Sequence, residues 1–255
     1  MNFTPQAFEQ QFSLSAIGVM GVVSLIAATT NAFNGALLAR RPDHYKHFTV
    51  IGVIILAYVG GIGGGILRDI LVNRVPSPLI NPWYIILCLG AAVVALVCDY
   101  YATMRFKDGL FQFMTAFTLP WYAIVGAQAA VDAKLGYLAA ILIGVIATTG
   151  GRYFIDISCG CVPKQLVRGE YFVMTAAATA ALYLVCNGIF GLSQITATAI
   201  AFFFGFGFRL LSQTLGLEEW EPWEPPELKT GEKTRKTLGQ GLYAEFHSDP
   251  GSDKT

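Results

Sequence analysis

Seven apolar stretches alternate with short polar connections along the chain, at residues 13–39, 47–73, 81–104, 109–130, 135–158, 170–187 and 193–213. A hydrocarbon core about 30 Å thick is crossed by about 20 helical residues, so each stretch predicts one transmembrane helix. The second and fifth do not read as lipid-facing helices. Residues 60–78, GGIGGGILRDILVNRVPSP, carry Gly60, Gly61, Gly63, Gly64 and Gly65, then Arg68 and Asp69. Charges near the middle of a membrane helix cost about 2.5–3.5 kcal/mol each, so Arg68 and Asp69 are expected to face a protein-lined interior. The glycines are expected to break the helix, with the unwound backbone lining a cavity.

The pattern recurs 87 positions later in residues 147–166, ATTGGRYFIDISCGCVPKQL. Gly150 and Gly151 fall on Gly63 and Gly64, Asp156 on Asp69, and Val162-Pro163 on Val75-Pro76. A duplicated, glycine-rich, charged membrane segment points to a substrate or ion pathway at the interface of two repeats. Three spans separate the copies, so the second half enters the membrane upside down relative to the first. The expected fold is an all-α integral membrane protein. It has seven transmembrane helices as two inverted three-helix repeats, residues 13–104 and 108–188, plus an extra helix at 193–213.

Smaller signals refine the pathway. Ser24, Thr29, Thr30, Asn31 and Asn34 give the first span hydrogen-bonding groups that serve helix packing or a pore wall. Pro120, mid-span in the fourth stretch, is expected to bend it. Arg152 and Asp156, four apart, share a helix face and can pair, whereas the adjacent Arg68 and Asp69 diverge by about 100° and are expected to seek different partners. The candidate pathway residues are Gly63, Gly64, Gly65, Arg68, Asp69, Thr148, Thr149, Gly150, Gly151, Arg152 and Asp156. Were the pathway to carry cations, oxygen ligands would have to offset lost hydration, and freed carbonyls, the two aspartates and Thr148 and Thr149 would supply them. Arg68 and Arg152 would neutralise, narrow or gate it, and the two threonines would bond a loosened backbone at the glycine hinge.

Composition agrees with the pattern. Of 255 residues, 54% are hydrophobic and 13% charged, with a mean hydropathy of +0.53, which excludes a soluble domain. Ten flanking Lys and Arg residues divide unevenly: Arg40, Arg41, Lys46, Arg105, Lys107, Lys164, Arg168 and Arg209 on one face, Arg74 and Lys134 on the other. The positive-inside rule then puts the amino terminus outside a prokaryotic inner membrane and the carboxyl terminus in the cytoplasm. Residues 1–12 form an extracytoplasmic arm, and 216–255 are expected to be a disordered acidic tail that Trp220 and Trp223 anchor at its start. No exposed basic stripe suits nucleic acid. The five cysteines, Cys159 and Cys161 among them, read as packing residues, and His44 and His47 as loop residues, so no metal or cofactor is expected.

With the duplicated glycine-Asp-Val-Pro motif, the phrase VGAQAAVDAKLG at 125–136 and the three-plus-three-plus-one plan, residues 13–213 resemble the prokaryotic trimeric intracellular cation (TRIC-type) channels, a family overlapping the bacterial glycine-transporter-domain proteins. The resemblance implies a homotrimeric channel for monovalent cations, potassium foremost and sodium second. Each protomer would hold its own pore between the repeats, lined by the broken second and fifth helices with the first and fourth. Gly63, Gly64, Arg68 and Asp69 match the motif in one half, and Gly150, Gly151 and Asp156 in the other, where Arg152 replaces the third glycine and Ile155 the arginine. The rival reading is a secondary transporter for glycine or another small amino acid, with Arg68 and Arg152 clamping its carboxylate. No nucleophile–base pair or metal cluster supports an enzyme.

Overall fold

The computed structural model describes residues 18–40, 48–101, 104–163, 165, 169 and 171–219, and all of its elements are helices. In chain order they are α1 (Val19–Ala39), α2 (Val50–Leu71), α3 (Ser77–Ile80), α4 (Trp83–Tyr101), α5 (Met104–Asp132), α6 (Tyr137–Ser158), α7 (Val173–Leu184) and α8 (Gln194–Leu215). A π-helical turn, Val185–Ile189, extends α7. Six helices, α1, α2, α4, α5, α6 and α8, are long and apolar enough to cross a membrane, and α7 with its π turn forms a shorter apolar helix, 173–189. The amino-terminal arm, His44, His47, Trp220, Trp223 and the acidic tail from residue 220 onward lie outside the described residues.

Local signals set the boundaries. Thr49 caps α2 by accepting from the Gly52 N–H at 3.1 Å, and Ser193 caps α8 by accepting from Thr196 N–H at 3.2 Å. The ends of α2 and α6 are the same motif displaced by 87 residues. Asn73 and Gly160 both adopt the left-handed conformation, with φ of 55° and 70°. Arg74 N–H donates to the Asp69 carbonyl at 2.8 Å, and Cys161 N–H to the Asp156 carbonyl at 2.9 Å, the long bond of a Schellman cap. Val75-Pro76 and Val162-Pro163 follow each cap, where proline keeps the helix from resuming.

The expected breaks in the second and fifth spans are absent: α2 runs unbroken from Val50 to Leu71 through its five glycines, and α6 from Tyr137 to Ser158 through Gly150 and Gly151. Glycine weakens a helix in water because the freed backbone groups find water instead. In hydrocarbon there is no such alternative, so the helix persists and the missing side chains become packing surface.

Packing is built from small residues. The first half buries Ala28, Ala32, Ala36, Cys88, Ala92 and Ala95 between α1, α2 and α4. The second buries Ala123, Ala127, Ala140, Ala176, Ala180 and Ala201 between α5, α6, α7 and α8. Apolar association gains little in lipid, so close van der Waals approach of small residues holds the helices together. Large apolar side chains such as Ile51, Ile55, Val94, Leu138 and Phe203 face outward. Helix α5 continues through Pro120, whose ring packs where a Cβ on Gly205 of α8 would come within 3.1 Å. Arg40 at the end of α1 binds Asp99 near the end of α4 at 2.8 Å, so that charge is paired at the helix ends.

Candidate functional site

The two copies of the motif meet where α2 crosses α6. A Cβ on Gly64 would overlap the Ala147 carbonyl oxygen, and one on Gly151 would lie 2.6 Å from the Gly60 carbonyl oxygen. Gly60 and Gly64 become Ala147 and Gly151 under the 87-residue shift, so the contact is reciprocal, as a pseudo-two-fold axis through the crossing requires. The neighbouring helices repeat the relation. A Cβ on Gly35 of α1 would meet Leu56, Ala57 and Gly60, and one on Gly126 of α5, 91 residues later, would meet Ile143, Gly144 and Ala147, the same contacted positions shifted by 87. Gly63 lies within the same crossing, its Cβ position 3.5 Å from Gly151 Cα, and Gly150 lies 3.5 Å from Gly64 Cα. Gly65 stands apart, with only Arg68 near it at 3.9 Å.

Arg68 and Asp69 do not diverge. They pair with each other while both are 3% exposed: Nε donates to Asp69 Oδ1 at 2.8 Å, and Nη2 lies 2.6 Å from the same oxygen. The long arginine side chain curls back across its own turn, which a count of helix angles between Cα positions misses. Asp69 Oδ2 accepts from the Ser77 N–H at 2.7 Å and its hydroxyl at 2.9 Å, pinning the start of α3. In the second half, Arg152 Nε lies 4.0 Å from Asp156 Oδ2, and its guanidinium sits 5.4 Å above the Phe111 ring. Thr148 and Thr149 donate to the Gly144 and Val145 carbonyls at 2.7 and 2.9 Å, the regular i−4 bonds of an intact helix rather than contacts to a loosened hinge.

Between α1, α2, α5 and α6 lies a cavity of about 30 Å³, room for a water or two. Its polar lining is Asn31, Asn34, Thr115, Thr118, Thr148 and Arg152, with Phe111 and Tyr122 completing the wall. Of the sequence-derived pathway residues, only Thr148 and Arg152 line it. Gly63 borders a separate outward-facing apolar groove with Ile62, Ile66 and Phe154. Arg68 and Asp69, with Ser77 bonded to the carboxylate, form a second buried polar cluster. Tyr122 stands between the two clusters and donates to the Gly61 carbonyl, next to Gly60, whose carbonyl accepts from Asn31 Nδ2 at 2.7 Å. Thr115, Thr118 and Tyr122 escaped the sequence reading. Their spacing of three and four makes a polar stripe along an otherwise apolar helix, a pattern visible in the sequence.

Comparison with known proteins adds what geometry alone does not. The sequence family described as Glycine transporter matches residues 21–100 and again 112–188. The chain belongs to this family. The first Glycine transporter match falls on α1–α4 and the second on α5–α7, which leaves α8 outside both. The chain is 31% identical to a UPF0126 membrane protein of Deinococcus radiodurans over 160 residues, 62% of this chain and 72% of that protein. It is 23% identical to the inner membrane protein YadS of Escherichia coli over 151 residues, 59% of this chain and 70% of YadS. Among solved structures it is similar to the TRIC trimeric intracellular cation channel orthologue of Rhodobacter sphaeroides, with TM-score 0.69, 28% identity, and coverage of 78% of this chain and 99% of that one. A second TRIC cation channel shares the fold at TM-score 0.69 and 22% identity, covering 82% of this chain and 99% of that one. These relatives and the six long apolar helices make the chain a multi-pass membrane protein of a transport-type family, not an enzyme family.

Proposed function

We propose that the protein is a channel for monovalent cations, potassium foremost, with one pathway inside each protomer between the two inverted halves. The observation that carries this reading is the likeness to the Rhodobacter sphaeroides cation channel, which extends over 99% of that chain at 28% identity. The interior agrees with it. Arg68 is held by Asp69, and Arg152 lies beside Asp156, so neither arginine presents an unopposed positive charge to a passing cation. Beside Arg152 the cavity wall offers amide and hydroxyl groups of the kind that replace a hydration shell. A transporter using Arg68 as a carboxylate clamp is disfavoured, because two of its nitrogens already serve Asp69.

The assembly follows the same likeness: a homotrimer in the prokaryotic inner membrane. The amino terminus lies outside, given the excess of Lys and Arg on the face that holds Arg40 and Arg209. Single-channel recording of the purified protein in planar bilayers under a potassium gradient tests the reading. Ohmic unitary currents reversing near the potassium potential are expected. Electrical silence together with saturable glycine uptake into liposomes overturns it.

A further inference from the structure

In the cavity between α1, α2, α5 and α6, the threonine hydroxyl protons and one N–H of each asparagine amide are engaged, which turns acceptor oxygens toward the space. Thr115 donates its only proton to the Phe111 carbonyl at 2.7 Å, so its oxygen must accept from Asn34, at 3.1 Å. That fixes the orientation of the amide: Asn34 Nδ2 faces Thr115, and Oδ1 is buried with no partner on a residue only 5% exposed. Asn31 is oriented by the same logic, because the Gly60 carbonyl to which it is bonded can only accept, which makes Asn31 Oδ1 the amide's acceptor atom. Thr118 donates to Thr30, whose own proton goes to a backbone carbonyl, and Thr148 donates to the Gly144 carbonyl.

Four residues on three helices thus offer acceptor oxygens around one small space: Asn31 and Asn34 from α1, Thr118 from α5 and Thr148 from α6. An orphaned acceptor away from water is unfavourable, and only a hydrogen-bond donor or a cation relieves it. We infer that this cavity is a coordination site for a largely dehydrated monovalent cation, held by neutral amide and hydroxyl oxygens. The ligand set has no carboxylate, which suits a single positive charge better than a divalent ion, whose sites are built around Asp and Glu. The about 30 Å³ available leaves space for an ion with at most one water. Arg152 closes one side, its charge set against Asp156 and the Phe111 ring.

The inference rests on the channel reading, and one experiment separates the two. Unitary potassium conductance is measured against potassium concentration for the wild type, N34L, T118V and T118S. N34L and T118V are expected to lower the unitary conductance severalfold and to raise the potassium concentration giving half-maximal conductance. T118S, which keeps the hydroxyl, is expected to stay closer to the wild type in both quantities than T118V. T118V is nearly isosteric, so it carries the test if N34L does not assemble. A conducting wild type with N34L and T118V unchanged in both quantities overturns the site and leaves the channel reading standing. A wild type that passes no potassium current overturns both.

Discussion

Each glycine of the run from Gly60 to Gly65 is decided by what its missing side chain would touch. Gly64 faces the Ala147 carbonyl across the α2–α6 crossing, whereas Gly65 has only the tip of Arg68 within 4 Å. G64A is therefore expected to destabilise the protein by about 1–3 kcal/mol or more, because neither backbone can retreat. G65A is expected to be neutral or stabilising, since alanine gains up to about 1 kcal/mol of helix propensity. Thermal unfolding in detergent checks both, and equal losses would mean that the glycines act through backbone freedom instead. Asp69 is decided by charge: D69N leaves the Arg68 guanidinium buried and unneutralised, so a loss of about 3–5 kcal/mol is expected in the same measurement. Just past the end of α6, burial pushes the Cys159 thiol up to about 11, with Cys161 and Asp156 adding to the effect. A raised thiol pKa keeps the reactive thiolate scarce below pH 11. Alkylation of Cys159 by N-ethylmaleimide at pH 7.5 is expected to run orders of magnitude slower than for a free thiol and to speed up as pH rises. Labelling at the rate of a free thiol at pH 7.5 would contradict it.

At the scale of helices, the sequence showed the repeat but misplaced the break. The 87-residue shift aligns Gly63-Gly64 with Gly150-Gly151, and the eye takes glycine for a helix breaker. The breaks that exist are farther along, at Asn73 and Gly160, where both chains turn left-handed before Val-Pro. There the residue type matters for backbone reasons: G160A places a Cβ in the left-handed region and is expected to cost about 1–2 kcal/mol, while N73G is expected to be tolerated. The apolar stretches themselves were plain in the sequence because twenty-residue runs have few other uses. The short α3 was not, since its start depends on the Asp69 carboxylate reaching Ser77 eight residues away. The pathway lining was legible only in part. Thr148 and Arg152 stood beside a conspicuous motif, whereas Thr115 and Thr118 acquire meaning only once α5 is packed against α1.

At the scale of the whole protomer, two buried polar clusters occupy the interior, one around the Arg68–Asp69 pair, the other around Asn34, Thr118 and Thr148. Tyr122 separates them. Its ring is buried among Ala27 and Ala147, and its hydroxyl ties α5 to the Gly61 carbonyl of α2. If ions pass from one cluster to the other along this face of α5, this ring would have to move aside, which requires that hydrogen bond to open. Y122F removes the bond and keeps the bulk, so it is expected to raise open probability while leaving unitary conductance near the wild-type value, because the open path keeps its width. Y122A removes the bulk as well and is expected to raise both. Bilayer recording of the two variants beside the wild type distinguishes a movable plug from a passive wall residue. If both variants match the wild type in open probability and conductance, the ring does not obstruct the route, and the connection between the clusters must run along another face of α5.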